Sequence, residues 1–153
     1  MSTQAQKYHL SLAGEFFVAA ELQRRGVAAA VTYGNAKSAD VVAFSAFGEK
    51  AVVVEVKCTS QLRWVVGVAL PPSSDKPWVF VYLPTDETQA PRYYVLTQLE
   101  LRSILEPVDV EYREKYKAKH GEEYGDRLGV HNLTRKQAEP FLNAWGKIID
   151  QLN

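Results

Sequence analysis

Asp40-Val41-Val42-Ala43-Phe44-Ser45-Ala46, the short break Phe47-Gly48-Glu49, and Lys50-Ala51-Val52-Val53-Val54-Glu55-Val56-Lys57-Cys58-Thr59 form the stretch that decides the fold. Two runs rich in β-branched residues flank a glycine-containing turn, which is the pattern of a β-hairpin. Strand side chains alternate between faces, so Glu55, Lys57 and Thr59 share one face while Val54, Val56 and Cys58 share the other. A loop of Phe47 to Lys50 would set Asp40 opposite Lys57 and diagonal to Glu55. A loop of odd length without a bulge would turn Asp40 to the wrong face. Charged residues are rarely buried without partners, so the three in this apolar hairpin imply pairing or chemistry.

Working outward, Ser11 to Arg25 reads as a helix closed by Gly26. Glu15 falls in the stripe of Leu12, Val18, Ala19 and Leu22. Val27 to Tyr33 is a short strand candidate. Gln61 to Lys76 reads as a mixed connection that carries Trp64, an anchor beneath the loop. Trp78 to Leu83 and Arg92 to Leu96 read as strands. Thr97-Gln98-Leu99-Glu100 is a capping box that opens a short helix ending before Pro107. Val110 to Gly125 is charged, tyrosine-rich and helical at first. Thr134-Arg135-Lys136-Gln137 is a second capping box, opening a C-terminal helix with Phe141, Trp145, Ile148 and Leu152 at helical spacing. The order is α/β, with a mixed central sheet flanked by helices and an extra C-terminal helical segment.

The chain has 153 residues, enough for one domain (1–153) with a core at about 10–96 and a helical part at 97–153. At 46% hydrophobic and 24% charged it has an ordinary globular composition. Eighteen basic residues balance eighteen acidic ones, which argues against nucleic-acid binding by bulk charge and leaves room only for a local basic patch. The single cysteine, Cys58, excludes a disulfide framework and a multi-cysteine zinc site. It is expected in the core, turned away from Lys57. The N-terminus is not a signal peptide and no apolar run approaches a membrane span, so the expected compartment is the cytoplasm. His120 and His131 lack partners at ligand spacing and read as surface residues, with His9 near the start of the first helix.

Asp40, Glu55 and Lys57 are the set that metal-assisted phosphodiester hydrolysis uses: two hard oxygen donors and an amine. Their placement makes the pattern specific. Gly14-Glu15 on the first helix, Ala39-Asp40 opening one strand and Glu55-Val56-Lys57 on the next resemble the PD-(D/E)XK nuclease superfamily, most closely its Holliday-junction-resolvase-like and restriction-endonuclease-like branches. The match covers Gly14 to about Thr59 and continues loosely through Trp78 to Leu83. The family's proline is Ala39 here, and Val110 to Asn153 carries none of its motifs.

The resemblance implies a restriction-endonuclease-like core and a metal-dependent endodeoxyribonuclease. Asp40 and Glu55 would hold Mg²⁺ or Mn²⁺, and Glu15 would be an auxiliary ligand. Lys57 would orient the attacking water or stabilise charge on the scissile phosphate. The implied partner is duplex or branched DNA, with a possible homodimer, because one site cuts one strand. Neither a membrane nor a small-molecule cofactor is implied. Lys37, Thr59 and Arg63 flank the site as candidate nucleic-acid contacts, and the Arg113 to His120 run reads better as a solvated face. The rival reading is a catalytically idle nuclease-fold module that binds nucleic acid or a partner protein; a structural ion-pair network is the plainest alternative for the charged triplet.

Overall fold

The computed structural model describes residues 3–32, 40–126 and 129–153. Helix α1 (Gln4–Arg24) starts seven residues before the expected Ser11, because Thr3 and Gln6 form a reciprocal capping box. Its first two turns are exposed, so no apolar stripe marks them; burial begins at Gly14 and continues through Val18 and Leu22. Gly26 follows the helix in the left-handed conformation at φ 76°. Strand β1 (Ala28–Val31) lies within the expected 27–33, of which Tyr33 is outside the described residues.

Strands β2 (Val41–Phe44) and β3 (Ala51–Thr59) form the antiparallel hairpin. Its register pairs Phe44 with Ala51 and Val41 with Val54, leaving Ser45 to Lys50 as the connection. The expected four-residue loop is thus corrected to six. Ser45 closes the wider loop, its hydroxyl accepting from the Lys50 N–H at 2.9 Å while its own N–H donates to the Lys50 carbonyl. The pairing ends at Val41–Val54, and the Asp40 N–H donates to the Val54 carbonyl, so Asp40 does not stand opposite Lys57 as expected.

The connection 60–76 contains an unexpected strand, β4 (Arg63–Gly67), before β5 (Pro77–Tyr82) and β6 (Arg92–Thr97). The central sheet runs β1-β2-β3-β5-β6, antiparallel except for the parallel pair β3–β5, so it is mixed as expected. Strand β4 leaves that sheet and pairs antiparallel with β7 (His131–Thr134). The second strand had no sequence signal of its own: it is four residues long and stands just before a capping box.

Helix α2 (Gln98–His120) opens on the Thr97–Glu100 capping box but passes through Pro107 instead of ending there. Its buried residues, Gln98, Leu101 and Leu105, all precede the proline. Beyond Pro107 the helix is held by pairs four residues apart, Asp109–Arg113 at 3.0 Å and Glu111–Lys115 at 2.8 Å. Tyr124 also packs edge-on against Tyr112 and Tyr116. These ties hold the segment beyond Pro107, where the proline removes one backbone hydrogen bond. The expected C-terminal helix is broken. The Thr134–Gln137 box caps only α3 (Arg135–Ala138), and a 3-10 turn containing Pro140 follows. Asn143 then adopts φ 54° before α4 (Gly146–Ile149). A proline and a left-handed residue cannot continue one helix.

The sheet carries a core on each face. Val18 and Leu22 of α1 meet Val41, Val54, Val56, Val79 and Val95 on one side, with Trp145 and Ile148. Trp64, Phe80, Tyr94 and Leu96 meet Leu101 and Leu105 of α2 and Leu133 of β7 on the other. Trp64 is the expected anchor: it is 1% exposed and its indole N–H donates to the Val81 carbonyl at 2.9 Å. The architecture is therefore mixed α/β, a five-stranded sheet flanked by helices. Among the described residues no helix is long and apolar enough to cross a membrane.

Candidate functional site

Where α1 crosses β3, the two backbones come as close as side chains permit. A Cβ on Gly14 would fall 2.6 Å from the Cys58 Cβ and 3.1 Å from its Sγ, so only glycine fits this crossing. Cys58 faces the helix, as the alternation requires, and burial pushes its thiol up to about 12. It is a packing residue and not a nucleophile at neutral pH.

The residue after Gly14 is Glu15, which the close crossing delivers to Asp40. The two carboxyl groups lie close enough to interact, and the protonated form of Glu15 is favoured there. Burial, then the Asp40 charge, then the Asp40 side chain raise the Glu15 carboxyl to about 7. Asp40 stands at the end of β2, where its backbone N–H donates to the Val54 carbonyl at 3.0 Å. Its Oδ2 accepts the Val56 N–H at 2.8 Å. That N–H lies one position past Glu55, beyond the end of the β2–β3 pairing, so the carboxylate stands in for the next strand residue.

Glu55, Lys57 and Thr59 follow at alternate positions on β3, paired in register with Trp78, Phe80 and Tyr82 of β5. Lys57 Nζ is 3.8 Å from Glu55 Oε1 and sits 5.7 Å above the Trp78 ring. A second lysine, Lys76, approaches Glu55 Oε2 at 3.4 Å. Thr59 accepts the Gln61 N–H at 3.1 Å, which turns the chain out of β3.

These side chains open onto one groove of about 1140 Å³. It is lined by Glu15, Asp40, Glu55, Lys57, Thr59 and Arg63, so all but one of the residues singled out from sequence converge there. The exception, Lys37, lies outside the described residues, as does Ala39. Lys7 and Ser11 also line the groove. They precede Glu15 by eight and four residues, one helical face, and Lys7 was missed because α1 was expected to start at Ser11. The Thr3-to-Gln6 spacing was the signal that could have found them. Lys76 had none, because its approach to Glu55 spans two strands that sequence spacing does not relate.

The Arg113 to His120 run stands away from the groove, its Lys115 and Lys117 paired with Glu111 and Glu123. Arg24 and Arg25 both pair with Glu21. For the Arg113 to His120 run this is the solvated face expected of it. His9 packs against Tyr8, and His120 against Tyr116.

Two carboxyls pressed together, with a third on the same groove, are hard oxygen donors suited to a divalent cation. Among the described residues no three His, Cys, Asp or Glu side chains form a ready-made cage.

No protein-family model matches the chain, and no curated protein matches it by sequence. Among solved structures, the chain is similar to a Holliday junction resolvase from the archaeal hyperthermophile Archaeoglobus fulgidus, at 12% identity and a TM-score of 0.49 over 92% of this chain and 96% of that one. It is also similar to a bacterial homing endonuclease, at 15% identity and a TM-score of 0.47 over 98% and 94% of the two chains.

Proposed function

We propose that this chain is a single-domain, restriction-endonuclease-like enzyme that hydrolyses phosphodiester bonds in DNA with a divalent metal ion. The observation that carries the proposal is the contact between the Glu15 and Asp40 carboxyls on a groove shared with Glu55 and Lys57. Like charges held together cost stability unless a proton or a cation joins them.

Asp40, Glu55 and Glu15 would hold Mg²⁺ or Mn²⁺, which would supply Lewis-acid polarisation of the phosphate and lower the pKa of a bound water. The chain's own part is positional. The Val56 N–H fixes one Asp40 oxygen, leaving the other for a ligand. Lys57, held over Trp78, presents an ammonium to the groove where charge develops on the phosphate. Thr59, Arg63 and Lys37 are proposed to contact the nucleic-acid backbone, which positions a strand without reading its sequence. Cutting both strands of a duplex or junction requires two such sites, and hence a homodimer.

One observation favours the rival reading of an idle binding module: Glu55 already has two lysine neighbours. Cleavage of plasmid, linear, branched and single-stranded DNA with Mg²⁺ or Mn²⁺ separates the two. Wild type should cut at least one substrate, while Lys57→Ala and Asp40→Asn should lose at least about a hundredfold in rate. No cleavage of any substrate, or equal rates in all three proteins, sinks the enzymatic proposal. Binding of DNA without cutting would establish the module instead.

A further inference from the structure

Lys76 is not part of the D-to-ExK pattern, yet the fold builds a support for it. Its backbone N–H donates to the Ser74 hydroxyl at 3.2 Å, and its carbonyl accepts the Gln98 N–H at 2.9 Å. The Ser74 carbonyl accepts the Leu99 N–H at 3.0 Å. The Ser74 hydroxyl also bonds the side chain of Gln98, a buried polar residue at the first position of α2. Residues 74–76 are thereby clamped onto the start of that helix, where backbone N–H groups lack intrahelical partners. The clamp aims a lysine side chain, 17% exposed, at Glu55 Oε2.

Lys57 differs in each respect. It is twice as exposed, at 34%, and sits farther from Glu55, 3.8 Å against 3.4 Å. It lines the groove, which Lys76 does not. Glu55 itself is only 19% exposed, so the cation set against its carboxylate holds it in one orientation. We infer that Lys76 is the counter-ion that positions Glu55 from behind, and that Lys57 is thereby left to serve the groove. This rests on reading the groove as a phosphodiester-hydrolysing site, and it assigns its two lysines different work. Lys76 is a positioning residue; Lys57 is the one that meets substrate.

Double-mutant cycles in metal-free buffer test the inference without reference to activity. Urea unfolding of Lys76→Met, Lys57→Met, Glu55→Gln and the two doubles gives each lysine's coupling to Glu55. The Lys76–Glu55 coupling should be about fivefold in the unfolding equilibrium constant, and the Lys57–Glu55 coupling under about twofold. Equal couplings, or a larger one for Lys57, overturn the assignment. In cleavage, Lys76→Met should raise the Mn²⁺ concentration for half-maximal rate by about tenfold, with Lys76→Arg restoring it. Lys57→Met should lower the rate at every Mn²⁺ concentration. A Lys76→Met protein with wild-type Mn²⁺ dependence overturns the positioning role. Should wild type cut nothing, the nuclease reading fails, and the cycles still decide which lysine belongs to Glu55.

Discussion

Replacing Gly14 with alanine should destabilise this protein, although the same change in most helices does the opposite. Gly14 lies eleven residues into α1, with ten more after it. Glycine there costs about 0.8–1 kcal/mol relative to alanine, so propensity alone predicts a gain of that size. The crossing reverses the sign. An added Cβ would meet the Cys58 Cβ at 2.6 Å and the Cys58 Sγ at 3.1 Å, and the first is an atom no rotamer change can move. Relief requires α1 and β3 to separate by several tenths of an ångström, against Val18, Leu22, Val54 and Val56 packed beside the contact. Overpacking of this kind costs about 1–3 kcal/mol, more than the propensity gain. The net expectation is a loss of up to about 2 kcal/mol, or up to roughly 8 °C in Tm for a chain of this size.

Urea unfolding followed by far-UV circular dichroism measures this directly, with two partner variants as internal controls. Cys58→Ala removes only the Sγ contact and should recover little of the loss in a Gly14→Ala background. Cys58→Gly removes the Cβ and should recover most of it, after its own strand cost is subtracted in the cycle. The functional consequence is separate. A displaced helix moves Glu15 relative to Asp40, so cleavage should fall on the order of tenfold under conditions where the variant is fully folded. A Gly14→Ala protein as stable as wild type, or more stable, would refute the close-crossing argument. It would also leave the approach of Glu15 to Asp40 without a structural cause.

The Glu15–Asp40 contact makes stability depend on pH. The folded state holds the Glu15 proton up to about 7, against an ordinary 4.5. That stabilisation is fully present below about pH 4.5 and lost as pH rises through about 7. In metal-free buffer, Glu15→Gln should therefore gain on wild type in urea midpoint between pH 5 and pH 8; parallel pH profiles for the two proteins would contradict the raised Glu15 pKa. Pro107→Ala restores an N–H for the Ser103 carbonyl within α2, and should raise stability by about 1–3 kcal/mol in the same urea assay. An unchanged midpoint would mean that the helix beyond Pro107 is not coupled to the unfolding transition.

What could be read from the sequence was local or periodic, and what could not was set at a distance. Glu55, Lys57 and Thr59 alternate along β3 as expected, because alternation within one strand depends on parity alone. The loop proved two residues longer than expected, and Asp40 lies just outside the pairing, where its carboxylate accepts the Val56 N–H and meets Glu15 of α1. Capping boxes at Thr97 and Thr134 marked true helix starts, because a cap is settled within four residues. Where those helices ended was settled elsewhere: α2 outlasts Pro107 through its own ion pairs, and the last helix yields to Pro140 and Asn143. Lys76 is the clearest case of a residue hidden from sequence. Twenty-one positions separate it from Glu55, and only the parallel pairing of β3 with β5 brings its loop alongside. Motif reading finds the groups that chemistry demands at fixed spacing. The groups that hold them in place come from whichever element the topology sets next door, so a site such as this one is half visible until the sheet order is known.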